Sequence, residues 1–475
     1  MKIVIQGISD LGNLYWNEVD IIFYDNSKWW IKNNIDEERK PISIYDYKLD
    51  WNFLNTLNIE NIIPEIVECL PIISRWMGRG DQYQLLLREA YLEILYIISG
   101  LKILDIKNAI FQTGVVHHLS TLIFEKGCSF YGIKSIYTYP DLITSRFILF
   151  QQKVNIKDRK ALNYSISNFK SNDLVDDFIN NKLLNKKPKN NSVVTKKQST
   201  LAYAICYILA TFGKNSLNKL RNRIPKKTNY FYQTYPFQNI LQIIQQYKAL
   251  KYYNQNLVNN NTLLSKNNNK KLLIAAHFQP EATTFPEGWE MSNHIDIVIK
   301  LRRLGYNDDL LYKEHFASTT FVTNIVGLTR VGMYRSDVYY KQLLDLGCLF
   351  IDSSFILPID NTNYLPVTIT GTIAVERSLL GLTTIVMGYP WYKGLPGTIH
   401  IDEISSLENI NDEWLKTNEK IAEEAKLFLN NLLSYSTLNS LNRTNRGRKI
   451  SNEELNNFKQ EFDCLLINLN KETNN

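Results

Sequence analysis

The sequence contains only five cysteines among its 475 residues, and none of them belongs to a CxxC pair. No histidine stands near them at the spacing of a zinc site, and so irregular a scatter does not indicate a disulfide framework. These absences exclude a small disulfide-stabilised secreted domain and a structural zinc module. We therefore expect a protein of the reducing cytoplasm.

Long hydrophobic runs are also missing. The longest apolar stretch, residues 201–212, is well short of the roughly 20 residues needed to cross a bilayer. The first residues run directly into a strand-like pattern and show none of the three regions of a secretory signal. We expect neither a transmembrane span nor secretion.

Acidic residues are absent from residues 178–280, where lysine and arginine number 17. The rest of the chain carries 37 basic and 47 acidic residues, so the net charge of +7 conceals a basic insert. Basic residues on both sides of the apolar stretch favour peripheral contact of residues 186–227 with an anionic membrane surface. The alternative is a solvated linker rich in Asn and Lys. We expect no nucleic-acid partner, because no groove-reading or base-stacking motif is present.

Two series of strand-like runs alternate with helical patterns, which is typical of parallel α/β units. The length predicts two or three domains. The fold class we predict is α/β, with two Rossmann-like domains facing a cleft. The expected divisions are an N-terminal domain over residues 1–150, a basic, partly helical insert over 151–270, a second domain over 271–415 and C-terminal helices over 416–475.

Three polar clusters in the second series each follow an apolar run. They are residues 277–284 (HFQPEATT), 312–315 (YKEH) and 370–376 (TGTIAVE). Loops that follow parallel strands line one crevice, so the three clusters are expected to converge on one ligand. Neither a Walker loop nor a GxGxxG fingerprint is present, and no DxD-like metal site is evident.

Lys313 and His315 together offer charge and N–H donors to a phosphate group, which suits a nucleotide leaving group. The simpler interpretation is a surface charge triplet around Glu314, with the histidine capping a turn.

The turn at residues 370–372 lies between a strand and a helix, where free backbone N–H groups can hold an anion. Gly371 lets a phosphate or ribose approach closely, and Glu376 is placed to accept hydrogen bonds from ribose hydroxyls. The alternative is a tight turn in which Glu376 stabilises the start of the helix.

A carboxylate at Glu281, exposed where Pro280 ends a strand, is the first candidate for a general base that deprotonates an acceptor hydroxyl. His117 and His118, in a loop of the first series, are the second candidates. The alternatives are a helix-capping role for Glu281 and a buried or capping histidine pair.

In this order the clusters resemble the capsule polysaccharide biosynthesis glycosyltransferases, relatives of bacterial Kdo and sialic acid transferases with a GT-B fold. The matching segments are residues 279–283, 313–315 and 370–376 with Gly381, followed by 388–392. The resemblance covers roughly residues 272–400. Phe316 stands where this family usually has proline, so no proline ring fixes the backbone after His315.

The resemblance implies transfer of a CMP-activated acidic sugar to a surface polysaccharide or glycolipid, with no cofactor and no metal strictly required. The implied partners are the nucleotide-sugar donor and a glycan or lipid-linked acceptor. The implied site residues are Lys313, Glu314, His315, Gly371, Thr372 and Glu376 for the nucleotide and its phosphate, and His277, Gln279, Thr283, Trp391 and Tyr392 elsewhere in the cleft.

Two other functions stay open. One is a CDP-glycerol-type glycerophosphotransferase, with Asp352, Ser353 and Ser354 as the nucleotide contact. The other is a non-catalytic capsule assembly or export partner, which the loss of proline at Phe316 suggests.

Overall fold

The computed structural model describes most of two sheets and the helices around them. The described residues are 3–6, 21–23, 48–64, 66–67, 83–106, 108–111, 119–141, 143, 147–151, 157, 160–161, 172–184, 205, 209, 236–258, 271–277, 287–315, 318, 335–353, 359–360, 362–435, 437–438, 453, 456–457, 460–461, 464–465 and 467–468.

The first sheet has seven strands. Numbered along the chain, they are β1 (Ile3–Gln6), β2 (Ile21–Phe23), β3 (Asn108–Phe111), β4 (Lys134–Pro140), β5 (Phe147–Gln151), β6 (Lys160–Ala161) and β13 (Thr437–Leu438). Their order is β13-β5-β4-β3-β1-β2, with β6 beside β5. Strands β1 to β4 pair in parallel, as the sequence predicts, whereas β5 is antiparallel to its three neighbours. The antiparallel edge was not predicted.

Two of the helices of this half pack closely against each other. The helices of this half are α1 (Trp51–Leu54), α2 (Tyr83–Ile103), α3 (Leu119–Phe130) and α4 (Asn172–Phe178), the last continuing as a π-helical turn (Ile179–Leu184). Helix α2 presents buried residues such as Ile94, Ile98 and Leu101. Gly127 permits its close contact with α3, because a Cβ there would lie 2.6 Å from Ile97 Cγ2.

The second sheet has six strands, all parallel. They are β7 (Lys271–Ala275), β8 (Leu310–Lys313), β9 (Cys348–Ile351), β10 (Tyr364–Thr368), β11 (Thr384–Val386) and β12 (Thr398–His400). The surrounding helices are α5 (Pro236–Gln255), α6 (His294–Arg303), α7 (Asp337–Asp345), α8 (Ile373–Ser378) and α9 (Glu419–Tyr435). Short 3-10 turns lie at Ile59–Asn61, Trp289–Ser292, Ile401–Glu403 and Asp412–Leu415.

The inner strands of the second sheet are mostly apolar and buried, as expected for a parallel sheet covered on both faces, whereas β12 at its edge is half-buried. Along β7, Leu272 and Ile274 enter one hydrophobic cluster while Leu273 enters another, as the alternation of side chains in a strand requires. The near-continuous apolar runs of the sequence therefore correspond to a doubly covered sheet.

The order of this sheet is β12-β11-β10-β7-β8-β9. Counted in chain order from β7, this is the 3-2-1-4-5-6 arrangement of a doubly wound, Rossmann-like sheet. The winding reverses between β7 and β10. In open α/β sheets, ligands bind outside the carboxyl ends of the strands at such a reversal.

The two sheets are connected through side chains and through the C-terminal helix. Helix α9 places Leu429 and Leu433 in the same hydrophobic cluster as Phe150 of β5 and Trp391. The chain then returns to the first sheet as β13, beside β5. In the part of the chain that the structure describes, no helix combines the length and apolar content needed to cross a bilayer.

Candidate functional site

The loops after β7 and β10 meet at the reversal point of the second sheet. His277 Nε2 lies 2.9 Å from Thr368 Oγ1 and accepts the Thr370 N–H at 3.3 Å, while the Gly371 N–H donates to Thr368 Oγ1 at 3.1 Å. A backbone N–H can only donate, so Nε2 is an acceptor and the imidazole proton resides on Nδ1. Two of the three sequence clusters are thus joined by hydrogen bonds.

His277 is a neutral acceptor rather than a charged group. Burial, together with the nearby His315 and Arg335, lowers its pKa to about 3. At neutral pH the imidazole therefore stays unprotonated at Nε2 and holds the turn in place.

Gly371 occupies a position with no room for a side chain. A Cβ there would lie 2.4 Å from Thr368 Oγ1 and 3.3 Å from His277 Nε2. The Gly371 carbonyl accepts the Tyr392 hydroxyl at 2.7 Å, which fixes the turn from the other side.

The expected anion cradle at this turn differs from what the structure shows. The N–H groups of Thr370 and Gly371 already have acceptors within the protein. Helix α8 is only six residues long, and its N-cap residue Thr372 makes no side-chain cap. Thr372 is exposed and Glu376 is half-buried on the first turn. The Thr370 and Gly371 N–H groups of this turn are therefore engaged within the protein, and the turn forms only the edge of the crevice.

Glu314, at the end of β8, lies at the centre of a buried polar network. Its carboxylate accepts from Arg335 Nε at 2.6 Å, from the hydroxyls of Tyr340 at 2.9 Å and Tyr312 at 3.0 Å, and from the His315 N–H at 2.8 Å. The side chain has no exposed surface. Glu314 was expected to contact a phosphate, but the structure instead makes it the internal anchor of the loop.

Arg335 compensates the charge of Glu314. Burial alone would raise the pKa of Glu314, but the Arg335 guanidinium and the other donors leave it below its usual value. Burial alone would lower the pKa of Arg335, but the negative charge of Glu314 keeps the Arg335 pKa well above its usual value. Both groups are therefore charged, and the pair is satisfied within the protein.

Arg335 also links this network to the loop after β7. Its Nη2 donates to the His277 carbonyl at 3.0 Å, and the His277 N–H donates to His294 Nε2 at 3.0 Å. Burial lowers the pKa of His294 well below its usual value, so this imidazole is neutral too. All three sequence clusters consequently belong to one connected network.

Lys313 and His315 flank the buried carboxylate. Lys313 Nζ donates to the Ser353 carbonyl at 3.1 Å, in the loop after β9. Desolvation lowers the Lys313 pKa, against the effects of Glu314 and Asp352. The His315 side chain is exposed, although desolvation by the protein around it lowers its pKa. These two side chains are the donors that the network presents at the edge of the sheet.

Trp391 and Tyr392 were expected to line the cleft, but both are buried. Trp391 packs near Tyr139 of β4, with ring centroids 6.4 Å apart. Burial raises the Tyr392 pKa well above its usual value, so its hydroxyl keeps its proton and donates to Gly371. Tyr392 thus supports the Gly371 turn from the protein core, and Trp391 packs against the first half.

Several predicted residues lie outside the described residues: Gln279, Glu281, Thr283, His117, His118 and Phe316. Their predicted roles stay predictions. In the sequence, His117 and His118 follow β3, whose neighbours β1 and β4 lie on either side of it.

Arg335, His294 and Thr368 were not identified from the sequence. Thr368 had a signal, because it alternates with Thr370 along the end of β10. Arg335 and His294 had none, since they meet His277 only through folding.

Within the described residues, no group of three or more His, Cys, Asp or Glu side chains is placed to hold a metal ion. No family model matches the chain, and no curated protein matches it. The chain is thus characterised by its Rossmann-like second sheet and by the polar network at the point where that sheet reverses.

Proposed function

We propose that the chain is a GT-B-type glycosyltransferase that moves a CMP-activated acidic sugar, of Kdo or sialic acid type, to a surface polysaccharide or glycolipid. The observation that carries this proposal is the meeting of the three clusters at the reversal between β7 and β10. A doubly wound sheet binds nucleotides at this position.

The phosphate of the donor lies against Lys313 and His315 in this proposal. The Lys313 ammonium supplies positive charge, and His315 supplies an N–H donor as a neutral imidazole. Glu314 and Arg335 hold the loop that carries both residues. Because the network is satisfied internally, the loop is already in place before a ligand binds, which reduces the entropy cost of binding.

The reaction joins the acceptor oxygen to the anomeric carbon of the sugar as the bond from that carbon to the CMP phosphate oxygen breaks. Lys313 and His315 balance the charge that develops on the departing phosphate. Glu281, which follows β7 in the sequence, takes the acceptor proton, with His117 or His118 as the second candidates for this base.

A thermal unfolding experiment with CMP and UMP tests the proposal. A nucleotide that binds only the folded state stabilises it by about 2.7 kcal/mol at a hundred times its Kd. We expect CMP to raise the Tm more than UMP does, and His315→Ala to reduce the CMP effect. Lys416→Gln, which removes an exposed charge elsewhere, should leave it unchanged. No shift with either nucleotide would contradict the proposal.

A CDP-glycerol-type glycerophosphotransferase is the second candidate, and one contact favours it. The loop carrying Asp352 and Ser353 touches Lys313 through the Ser353 carbonyl, so it lies beside the proposed phosphate site. Turnover of CDP-glycerol but not of CMP-sugars would select this function.

A further inference from the structure

The hydroxyl of Tyr253, in the last turn of α5, connects the ends of two neighbouring strands of the second sheet. It accepts the N–H of Glu314, just after β8, at 3.2 Å, and it donates its proton to the carbonyl of Ile351, the last residue of β9. A tyrosine hydroxyl can donate and accept at the same time. Burial raises the pKa of Tyr253 well above its usual value, so the proton that forms the second bond stays in place.

Aromatic neighbours fix the position of the Tyr253 ring. The side chain has no exposed surface. Its ring centroid lies 5.0 Å from that of Phe350, at an interplanar angle of 28°, and 5.0 Å from that of Tyr340. The Val258 N–H, just after α5, donates to the Phe350 carbonyl at 3.0 Å and attaches the end of the helix to β9. The hydroxyl is therefore held at a defined place between the two strand ends.

The two strand ends carry the groups that we assign to the phosphate of the donor. Lys313 ends β8 and pairs with Ile351 at the end of β9. Beyond this pair, one segment continues to His315 and the other to Ser353, and the Lys313 ammonium donates to the Ser353 carbonyl at 3.1 Å. The Tyr253 hydroxyl bridges these two segments where they leave the sheet. Its position therefore sets the spacing between them.

Loss of this hydroxyl would displace the two segments. Glu314 and Ile351 are both fully buried, and a buried backbone group that loses its hydrogen-bond partner is unfavourable. The segments would therefore shift until each group finds another partner. A shift of about 1 Å in the groups that position a substrate can lower the reaction rate by about a hundredfold.

We propose that Tyr253 is a positioning residue of the donor site. Its hydroxyl sets the spacing of the segments after β8 and β9, and with it the places of the Lys313 ammonium and the His315 imidazole. Tyr253 acts through these two segments and is itself buried. The spacing rests on the hydrogen bonds of its hydroxyl, whereas the use of the site for a nucleotide phosphate rests on the proposed function.

The variant Tyr253→Phe removes the hydroxyl and keeps the ring, and its matched control is Tyr306→Phe. The buried Tyr306 hydroxyl likewise accepts one backbone N–H, that of Leu272 at 3.1 Å, and donates to one carbonyl, that of Asp309 at 3.2 Å. These two bonds lie at the opposite, amino ends of β7 and β8. Both variants should lower the Tm, so a change in Tm alone does not distinguish positioning from packing.

Two measurements on the full chain separate these roles, at a temperature where near-ultraviolet circular dichroism shows both variants folded. Hydrogen exchange followed by mass spectrometry needs no ligand. We expect faster exchange in the peptides that contain Glu314 and Ser353 in Tyr253→Phe, and wild-type exchange there in Tyr306→Phe. Calorimetry with CMP should give about tenfold weaker binding to Tyr253→Phe, and a Kd within about twofold of the wild type for Tyr306→Phe.

In an active enzyme, Tyr253→Phe should raise the KM for the donor and lower kcat, while the KM for the acceptor stays unchanged. Unchanged exchange or unchanged CMP affinity in Tyr253→Phe, or an equal loss of affinity in both variants, would overturn the proposal. A wild-type chain that binds no CMP would instead overturn the proposed function. The exchange result would then decide alone whether Tyr253 sets the spacing of the two segments.

Discussion

At the scale of single residues, the fold around the site depends on Glu314. One carboxylate without exposed surface accepts from Arg335, two tyrosine hydroxyls and a backbone N–H. A buried charge of this kind is tolerated only while its partners are present.

We predict that Glu314→Gln lowers the free energy of unfolding by about 3–5 kcal/mol, because it leaves the buried Arg335 uncompensated. Urea denaturation measures this change. The matched control is Glu413→Gln, whose side chain is 71% exposed and pairs with Lys416 at the surface. This control should change stability by no more than about 1 kcal/mol.

The double variant Glu314→Gln/Arg335→Met provides a second test. Removing both charges should recover part of the loss, since the apolar replacement has no charge to desolvate. A Glu314→Gln chain as stable as the Glu413→Gln chain would contradict the role given to this pair.

Two buried histidines predict a pH dependence. His277 and His294 have lowered pKa values in the folded state, so below about pH 6.5 the unfolded chain binds protons that the folded chain does not. Stability should therefore fall as the pH decreases, by up to about 1.4 kcal/mol per pH unit for each histidine. Denaturation at several pH values between 6.5 and 5 measures how the free energy of unfolding depends on pH. This range lies above that in which most carboxylates titrate.

The control for this slope is His277→Asn, which removes one of the histidines whose pKa is lowered by folding. We expect its stability to depend less steeply on pH, whatever its stability at pH 7. If the free energy of unfolding falls with pH equally steeply in the variant and in the wild type, protonation of His277 does not contribute to the pH dependence.

At the scale of elements, the end of β10 and the turn after it form one unit. Thr368 and Thr370 hydrogen-bond to His277, and the Gly371 N–H donates to Thr368 Oγ1. Gly371 fits only because it lacks a side chain. Glycine is therefore required at this position by lack of space and not by an unusual backbone conformation.

We predict that Gly371→Ala destabilises the chain by about 1–3 kcal/mol through overpacking against Thr368 Oγ1. In a Thr368→Ala background the same substitution should cost less, because the clashing oxygen is gone. Thr368→Val keeps an atom at that position, so in this background the cost should persist. A double-mutant cycle from denaturation curves measures the coupling, and equal costs in all three backgrounds would contradict the steric explanation.

Sequence periodicity predicted most helices and strands, but it missed the strands that form only by pairing with a neighbouring strand. The long helix Tyr83–Ile103 and the apolar strands β7 and β8 were visible in the sequence, since each has a strong pattern of its own. The sequence pattern predicts a strand at Val367–Ile369, whereas β10 begins at Tyr364. Pro366 lies inside β10, opposite Leu273, and proline is uncommon in a central strand. The two-residue strands β6 and β13 exist only as partners of β5.

At the scale of the whole molecule, the first sheet includes segments from beyond the predicted N-terminal domain. Strand β6 lies at residues 160–161, past the predicted limit of 150, and β13 comes from the C-terminal part. Helix α9 and Trp391 pack in the same hydrophobic cluster as the first half. The C-terminal region therefore ties the two sheets together.

We propose that the basic insert places the protein on an anionic membrane surface at the cytoplasmic face. Ile205 and Leu209, four residues apart and both helical, are 48% and 66% exposed, within a segment free of acidic residues. Each lysine or arginine near such a surface contributes roughly 1 kcal/mol. Deleting residues 186–227 should release the protein from phosphatidylserine vesicles in a sedimentation experiment.

The point variant Ile205→Asp/Leu209→Asp should weaken the same sedimentation without removing any basic residue. Vesicles of neutral lipid alone should bind the wild type poorly. If the deletion leaves sedimentation with anionic vesicles unchanged, the insert is not a membrane contact.

Local pattern and the alternation of buried strands with helices were enough to predict the α/β class, five of the six strands of the second sheet and the three polar clusters. Strand β12 (Thr398–His400) was not predicted. Packing between distant segments, by contrast, set which of those residues are buried and which partners they have. Glu314 and Tyr392 turned inward, while Arg335, His294 and Thr368 joined the site. The reason is physical: a buried charge or a tight turn is stable only when distant parts of the chain bring it partners, and a linear pattern does not encode that pairing.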